Sequence, residues 1–348
     1  MDTLTHALSG ALLARITAPR ATHPDLPSVG ARMLAGFFAA AFPDIDFALR
    51  LIDTLTYLNA HQGITHSIVL LPVWGFIVAW ILAHLMPRYP WQAFYGVALL
   101  GLGVHIAEDV ITAYGTQLLA PLSDWRYAIP LSFVIDPYFT GILMMGFTAL
   151  FIWPKRRFAS ILSLLSLIAY IGLQAVLRER ALEFGASYAD SQGLDNAVSV
   201  ALPQPLSPFR WKVIVHQGSR YHEALIDLDG QPPAKSPFIP ETWIGKLAAF
   251  YEPQATVIWQ QHARFGNEHE SLVHSAWTAP ALAPFRRFAQ FSVFDHLERR
   301  GEAICIWFVD LRFTLPGMTP SFRYGACRGD RDDGNWRLAR FKGAFFID

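Results

Sequence analysis

Apolar residues crowd the first half of the chain and thin out in the second. Four runs have the length and character of membrane-spanning helices: 67–85 (SIVLLPVWGFIVAWILAHL), 93–112 (AFYGVALLGLGVHIAEDVIT), 139–153 (FTGILMMGFTALFIW) and 158–177 (FASILSLLSLIAYIGLQAVL). Two earlier stretches, 4–18 and 29–43, are apolar but short. Fifteen helical residues reach about 22 Å, against roughly 30 Å of hydrocarbon. They read as a helical hairpin whose open ends stop below the membrane surface. His6 sits on one arm and Asp44 and Asp46 on the other. The pattern predicts a polytopic α-helical membrane domain of about six helices over 1–178, some shorter than full spans.

Beyond 178 the pattern changes. Residues 179–208 read as an exit helix and a polar linker, closed by the proline-punctuated ALPQPLSPF. From Phe209 the apolar positions alternate. WKVIVHQ and YHEALIDL flank a Gly-Ser turn as a hairpin, and FAQFSVFDH, AICIWFVDLRF and NWRLARFKGAFF read as further strands. TWIGKLAAFYE and EHESLVHSAW read as helices between them, so an α+β C-terminal domain is expected over 209–348.

Polar residues inside the apolar half carry the chemistry. Histidines and carboxylates are costly to desolvate in a membrane helix and mark a functional site unless they pair harmlessly. HQGITHS places His61 and His66 at the mouth of the run that begins at Ser67. Gly63 permits a tight turn there, and Thr65 or Ser67 can cap the helix that follows. His105 and Asp109, four apart, share one helix face, while Glu108 points elsewhere and is the less expected ligand. An HxxxD pair alone is equally well read as a buried histidine bonded to a neighbouring acid. PDID sets Asp44 and Asp46 at a helix C-terminus, where the dipole disfavours anions and a divalent cation would supply the missing counter-charge. With alternating helices, His6, Asp44, Asp46, His61, His66, His105 and Asp109 all fall towards one face. These seven are the expected ligands of one or two divalent ions. Ligation by nitrogen and oxygen without thiolate fits Zn²⁺ best, with Mn²⁺ or Fe²⁺ as alternatives. Asp44, Asp109 and His61 are the candidate catalytic residues, and Asp2, Asp124 and Asp136 are expected to support the ligands from behind. His23 and His84 fall towards the opposite face, and the histidines beyond residue 208 show no ligand-like clustering.

The loops opposite this face carry Arg15, Arg20, Arg32, Arg88, Lys155, Arg156 and Arg157, which by the positive-inside rule puts the site outside the cytoplasm. The segment 113–137, rich in Pro, Trp and Tyr, suits an interfacial loop covering the cavity. No basic segment precedes a small-residue cleavage site, so no removable signal peptide is expected. A net charge of zero, with a pI near 7.2, gives no electrostatic case for nucleic acid. The mean hydropathy of +0.28 and a charged fraction of 16% fit a membrane protein. Cys305 and Cys327 make no zinc site by their spacing; one disulfide in an extracytoplasmic domain and two unpaired buried thiols are both open. There is no internal repeat and no phosphate loop of the GxGxxG or Walker type.

At MDTLTHALSGALL, FPDID, HQGITHS, HIAEDVITAYG and PLSFVIDP, the sequence resembles the bacterial inner-membrane metal-dependent hydrolase family, also described as LexA-binding, membrane-associated hydrolases. The likeness covers the whole membrane half, and SPFRW with its β-rich tail is similar to the longer members. Gln62 stands where the family's H-R-G-x-T-H-S pattern carries arginine. A looser likeness in the order of Asp, His and HxxxD is to zinc-dependent phospholipase C, without the later ligands of a trinuclear site. The resemblance implies an inner-membrane, multi-pass enzyme whose metal activates water against a phosphoester or acyl bond. Ligands at helix ends below the interface favour a lipid-linked or otherwise amphiphilic substrate drawn from the membrane lipid bilayer. The alternative is a metal-binding membrane sensor or transporter without catalysis. A transporter would carry polar residues through to the far face, and this chain shows few.

Overall fold

Where the sequence shows its first polar break, Asp2 caps a helix by accepting the Thr5 amide at 3.0 Å, and α1 (Thr3–Ile16) begins. The computed structural model describes residues 1–20, 25–153, 157–230, 242–266, 269–329 and 335–340; His23, Lys155, Arg156 and the end of the last expected strand lie outside these. Two units divide the chain, Met1–Val176 and Leu177–Asp348.

In the first unit α1 is followed by α2 (Val29–Ala41), a 3-10 segment (Phe42–Leu51), α3 (Thr54–Ala60), α4 (Leu71–Leu85), α5 (Trp91–Val110) and α6 (Pro137–Ile152). α7 (Phe158–Ser191) starts here and continues into the second unit. The α1/α2 hairpin forms as expected and packs on α5. Small residues allow this: a Cβ on Gly10 would lie 2.3 Å from the Gly36 carbonyl, one on Gly36 2.4 Å from the Gly10 carbonyl, and one on Gly101 3.0 Å from the Gly36 carbonyl. Gly10, Gly36 and Gly101 stand four residues from His6, Ala40 and His105, so each marks the helix face that carries a site group one turn away. Ala14, Ala35, Ala39, Ala79, Phe94, Ala98 and Leu102 fill the core around this crossing.

Six membrane spans are not supported. Among the described residues only α5 and α7 are long and apolar enough to cross a bilayer, and a third span requires counting Thr54–His66 and Leu71–Leu85, bent by 85°, as one. Length is the reason: α1, α2, α4 and α6 have 14, 13, 15 and 16 residues, or about 20–24 Å at 1.5 Å per residue. The run expected to be helical from Ser67 begins only at Leu71, because Ser67 Oγ accepts the Val69 and Leu70 amides and Pro72 occupies the first turn.

In the second unit the end of α7 packs Leu177, Ala181 and Ala189 on Ala201, Trp211, Val213, Val215 and Ala224. The first sheet joins β1 (Val198–Pro203), β2 (Arg210–Gln217) and β3 (Arg220–Asp227) as an antiparallel run, with β4 (Glu252–Pro253) and β5 (Gln260–Ala263) both paired to β3. The Gly-Ser hairpin closes as read, with Gln217 opposite Arg220 and Gly218 at φ +62°. α8 (Trp243–Ala248), α9 (Glu270–Thr278) and α10 (Ala283–Phe288) precede a meander of β6 (Ser292–Arg300), β7 (Ala303–Asp310), β8 (Tyr324–Arg328) and β9 (Arg337–Arg340). Cys305 and Cys327 face each other across β7 and β8 and form a disulfide. The expected exit helix is the end of α7, and the stretch read as linker after it holds all of β1.

Candidate metal centre

Two histidine nitrogens and one carboxylate set the geometry. On α5, His105 Nδ1 lies 2.6 Å from the Ala40 carbonyl, an acceptor only, so Nδ1 carries the proton and Nε2 presents a lone pair. Thr65 Oγ1 donates to Asp46 Oδ2 at 3.0 Å, so its 2.9 Å contact with His66 Nδ1 makes that nitrogen the donor and leaves His66 Nε2 bare as well. These two bare nitrogens are 2.9 Å apart. Asp109 Oδ2 lies 3.1 Å from His66 Nε2 and 3.3 Å from His105 Nε2, and it has no hydrogen-bond donor of its own. Three acceptors therefore converge in a site where all three residues are essentially inaccessible to water. A proton would bridge one edge of this triangle; a cation satisfies all three. Bonds of about 2.0–2.1 Å put neighbouring ligand atoms about 2.9–3.4 Å apart, which is the observed spacing.

The other predicted residues extend this triangle. His6 Nε2 is 3.1 Å from Asp109 Oδ1, its ring stacks on His105 at 3.8 Å, and the Met1 amino group also meets Asp109. Asp44, at the start of the 3-10 segment, receives the Thr3 hydroxyl and places Oδ1 3.8 Å from His105 Nε2. Three overlapping groups have ligand atoms within 4.8 Å of one another: His6, His105 and Asp109; Asp44, His66 and His105; Asp44, Asp46 and His61. All seven residues are buried. His105 and Asp44 each belong to two of the groups and so link the three into one cluster.

Asp46 serves the local fold first. Its Oδ1 meets His61 Nδ1 at 2.8 Å and its Oδ2 accepts the Gln62 amide and Thr65 hydroxyl, so this one carboxylate shapes the whole 61–66 turn. Gln62 takes the left-handed φ of +57°, and Gly63 is needed because a Cβ there would lie 2.6 Å from the Ala60 carbonyl. His61 stacks on Tyr57 and meets Tyr114 and Phe47 edge-on or tilted. The 113–137 segment closes over this turn. Gln117 donates to the Gln62 carbonyl, and Arg126 reaches the carbonyls of Asn59, His61 and Gly115.

Sequence reasoning placed Glu108 off the ligand face. In the structure its Oε2 lies 2.8 Å from His6 Nδ1, which fixes that tautomer and turns His6 Nε2 to the cluster. Thr65, expected as a candidate helix cap, instead donates to Asp46, and the site roles of Thr3, Arg126 and the Ala40 carbonyl have no periodic signal in the sequence. The three acids expected to support the ligands have roles of their own. Asp2 caps α1 and Asp136 caps α6 while accepting from Ser132 and Tyr170; Asp124 is exposed.

The buried His and Asp groups could thus hold a metal ion, which fits the inner-membrane resemblance of the motifs. One relative, an uncharacterised protein named YfhP from Bacillus subtilis (strain 168), is 32% identical over 154 residues, 44% of this chain and 46% of that protein. The chain thus matches about half the length of that relative. No solved structure matches the chain. Residues 1–181, which contain every one of the seven candidate ligands, match the model of the YdjM inner membrane proteins, and the chain belongs to that family.

Proposed function

We propose that this protein is a membrane-bound metal-dependent hydrolase acting on a phosphoester or acyl bond of an amphiphilic, lipid-like substrate. The convergence of His66 Nε2, His105 Nε2 and the otherwise undonated Asp109 Oδ2 supports the reading most directly. A divalent ion bound there supplies Lewis acidity, lowering the pKa of water towards 7 and polarising the scissile group. His6, His66, His105 and Asp109 would hold it, with Asp44 between this set and the Asp46/His61 set. Seven candidate ligands exceed the four of a closed structural site and leave room for substrate. His61 carries its Nδ1 proton against Asp46, so its other nitrogen is available to take up or return a proton, with Asp44 as the second base.

The elements around the site support a substrate drawn from the bilayer. Leu51 is 90% exposed, Leu122 78% and Trp125 67%, all on the segments that carry or cover the cluster, where a water-facing loop would be polar. An extracytoplasmic orientation is supported by the basic residues of the opposite loops and by the Cys305–Cys327 disulfide, a bond that persists in oxidising compartments. The test uses purified protein in detergent and its Asp109→Ala variant, incubated with membrane lipid extract with and without chelator and read by mass spectrometry. Chelator-sensitive cleavage of a lipid lost in the variant is expected. Bound transition metal without turnover of lipid or water-soluble esters would overturn the hydrolase in favour of a sensor or transporter.

A further inference from the structure

The second unit holds a polar cavity of about 530 Å³, independent of the metal cluster, lined by Gln217, Arg220, Tyr221, His222, Gln261 and His262 with Leu194 and Phe294. The strand register explains how the donors gather. Arg220 and His222 are two apart on β3 and so share a face. Gln217 lies opposite Arg220 on β2, and Gln261 lies opposite His222 on β5. His222 Nδ1 is held by the Tyr188 hydroxyl at 2.9 Å, which fixes its ring. Glu223, behind the wall, is already engaged by Lys212 at 2.8 Å and His262 at 3.0 Å.

Among the described residues no carboxylate lines the cavity. Arg220 has no ion pair among the described residues, and burial, followed by the charges of Arg220 and His262, acts against protonation of His222, so the Arg220 guanidinium is the uncompensated charge of this wall. A guanidinium, an imidazole and two carboxamides on one face are a donor set for a phosphoryl group, which arginine grips through two parallel N–H donors. The volume falls in the range of organic ligands rather than of a lone ion. Leu194 and Phe294 supply an apolar surface for the rest of such a molecule.

We infer that this cavity binds a phosphate monoester, with Arg220 and His222 gripping the phosphoryl group and the body of the ligand resting against Leu194 and Phe294. The site rests on none of the residues of the metal cluster, and its ligand could be a soluble ester or the headgroup of a phosphomonoester lipid.

Titration calorimetry on the full chain in detergent, with chelator present, tests it. The probes are phenyl phosphate, inorganic phosphate, phenol and short-chain phosphatidic acid. Phenyl phosphate is expected to bind one to one and more tightly than inorganic phosphate, and phenol not at all. Arg220→Ala and His222→Ala should each weaken binding at least tenfold, and Arg220→Glu should abolish it with an unchanged melting temperature, since Arg220 is exposed. Tighter binding of phosphatidic acid assigns the cavity to a lipid headgroup, and tighter binding of phenyl phosphate to a soluble ester. Absence of binding by both esters, binding untouched by all three substitutions, or phenol binding as well as phenyl phosphate overturns the proposal. Because chelator is present throughout, these outcomes are separate from the fate of the hydrolase reading.

Discussion

Replacing Gly36 by alanine puts a methyl group into the crossing on which the metal centre depends. The new Cβ lies 2.4 Å from the Gly10 carbonyl oxygen and 2.7 Å from the Ala14 methyl, whereas ordinary contact begins near 3.4 Å, so α1 and α2 must part by about 1 Å. Overpacking of this kind costs about 1–3 kcal/mol, and the better helix propensity of alanine returns at most about 1 kcal/mol of it. The loss of stability is therefore modest, about 0–2 kcal/mol. The site feels more. α1 carries His6, and α2 carries the Ala40 carbonyl that orients His105 and leads into Asp44. Ligand distances tolerate about 0.2 Å, so a displacement of about 1 Å detaches at least one ligand. Zinc affinity, measured by competition with a chromophoric chelator in detergent, is expected to fall at least tenfold while the far-ultraviolet circular dichroism is retained. Gly103→Ala on α5 is the control, because a Cβ there meets nothing within 4 Å. Wild-type zinc affinity in Gly36→Ala, or an equal loss in Gly103→Ala, would refute the link between helix crossing and ligand geometry.

Glu108→Gln keeps an acceptor for His6 Nδ1–H and should hold metal within a few-fold of wild type, whereas Glu108→Leu should lose about 10–100-fold; equal affinities would remove Glu108 from the support of His6. The Cys305–Cys327 pair should resist alkylation until reduced, read as a mass shift on intact protein; free thiols in protein purified without reductant contradict the disulfide. In the second unit, burial raises the Glu223 carboxyl, but the Lys212 ammonium and the contact with His262 outweigh it and hold the group at about 2. Its folded pKa is below the unfolded value of about 4.3, so its contribution is complete above that pH and is lost as pH falls towards 2. The wild type's acid-unfolding curve should accordingly be steeper between these limits than that of Glu223→Gln. Lys212 donates to the Leu311 and Thr314 carbonyls as well as to Glu223, and Lys212→Met should cost about 3–5 kcal/mol by stranding a buried charge. A thermal-unfolding shift within the error of wild type would contradict that.

By itself the sequence determined what local chemistry determines. Long apolar runs separated a membrane half from a half with two-residue alternation, and the Gly-Ser pair between WKVIVHQ and YHEALIDL specified the hairpin register. Seven polar residues in or beside apolar runs are conspicuous because water cannot solvate them there, and the structure gathers all seven. Helix ends were less legible. Periodicity runs through Ser67 to Leu70, but the side chain of Ser67 captures amides that a helix would have used. Membrane crossing needs length as well as hydropathy, and the short helices fall below it. What only tertiary structure decided is which nitrogen of each histidine faces the centre. That depends on the Ala40 carbonyl, the Thr65 hydroxyl and Glu108, partners 65, 1 and 102 residues distant in sequence. The same holds for the glycines of the α1/α2/α5 crossing, whose meaning appears only when three helices meet, because a missing Cβ is informative only where another backbone takes its place.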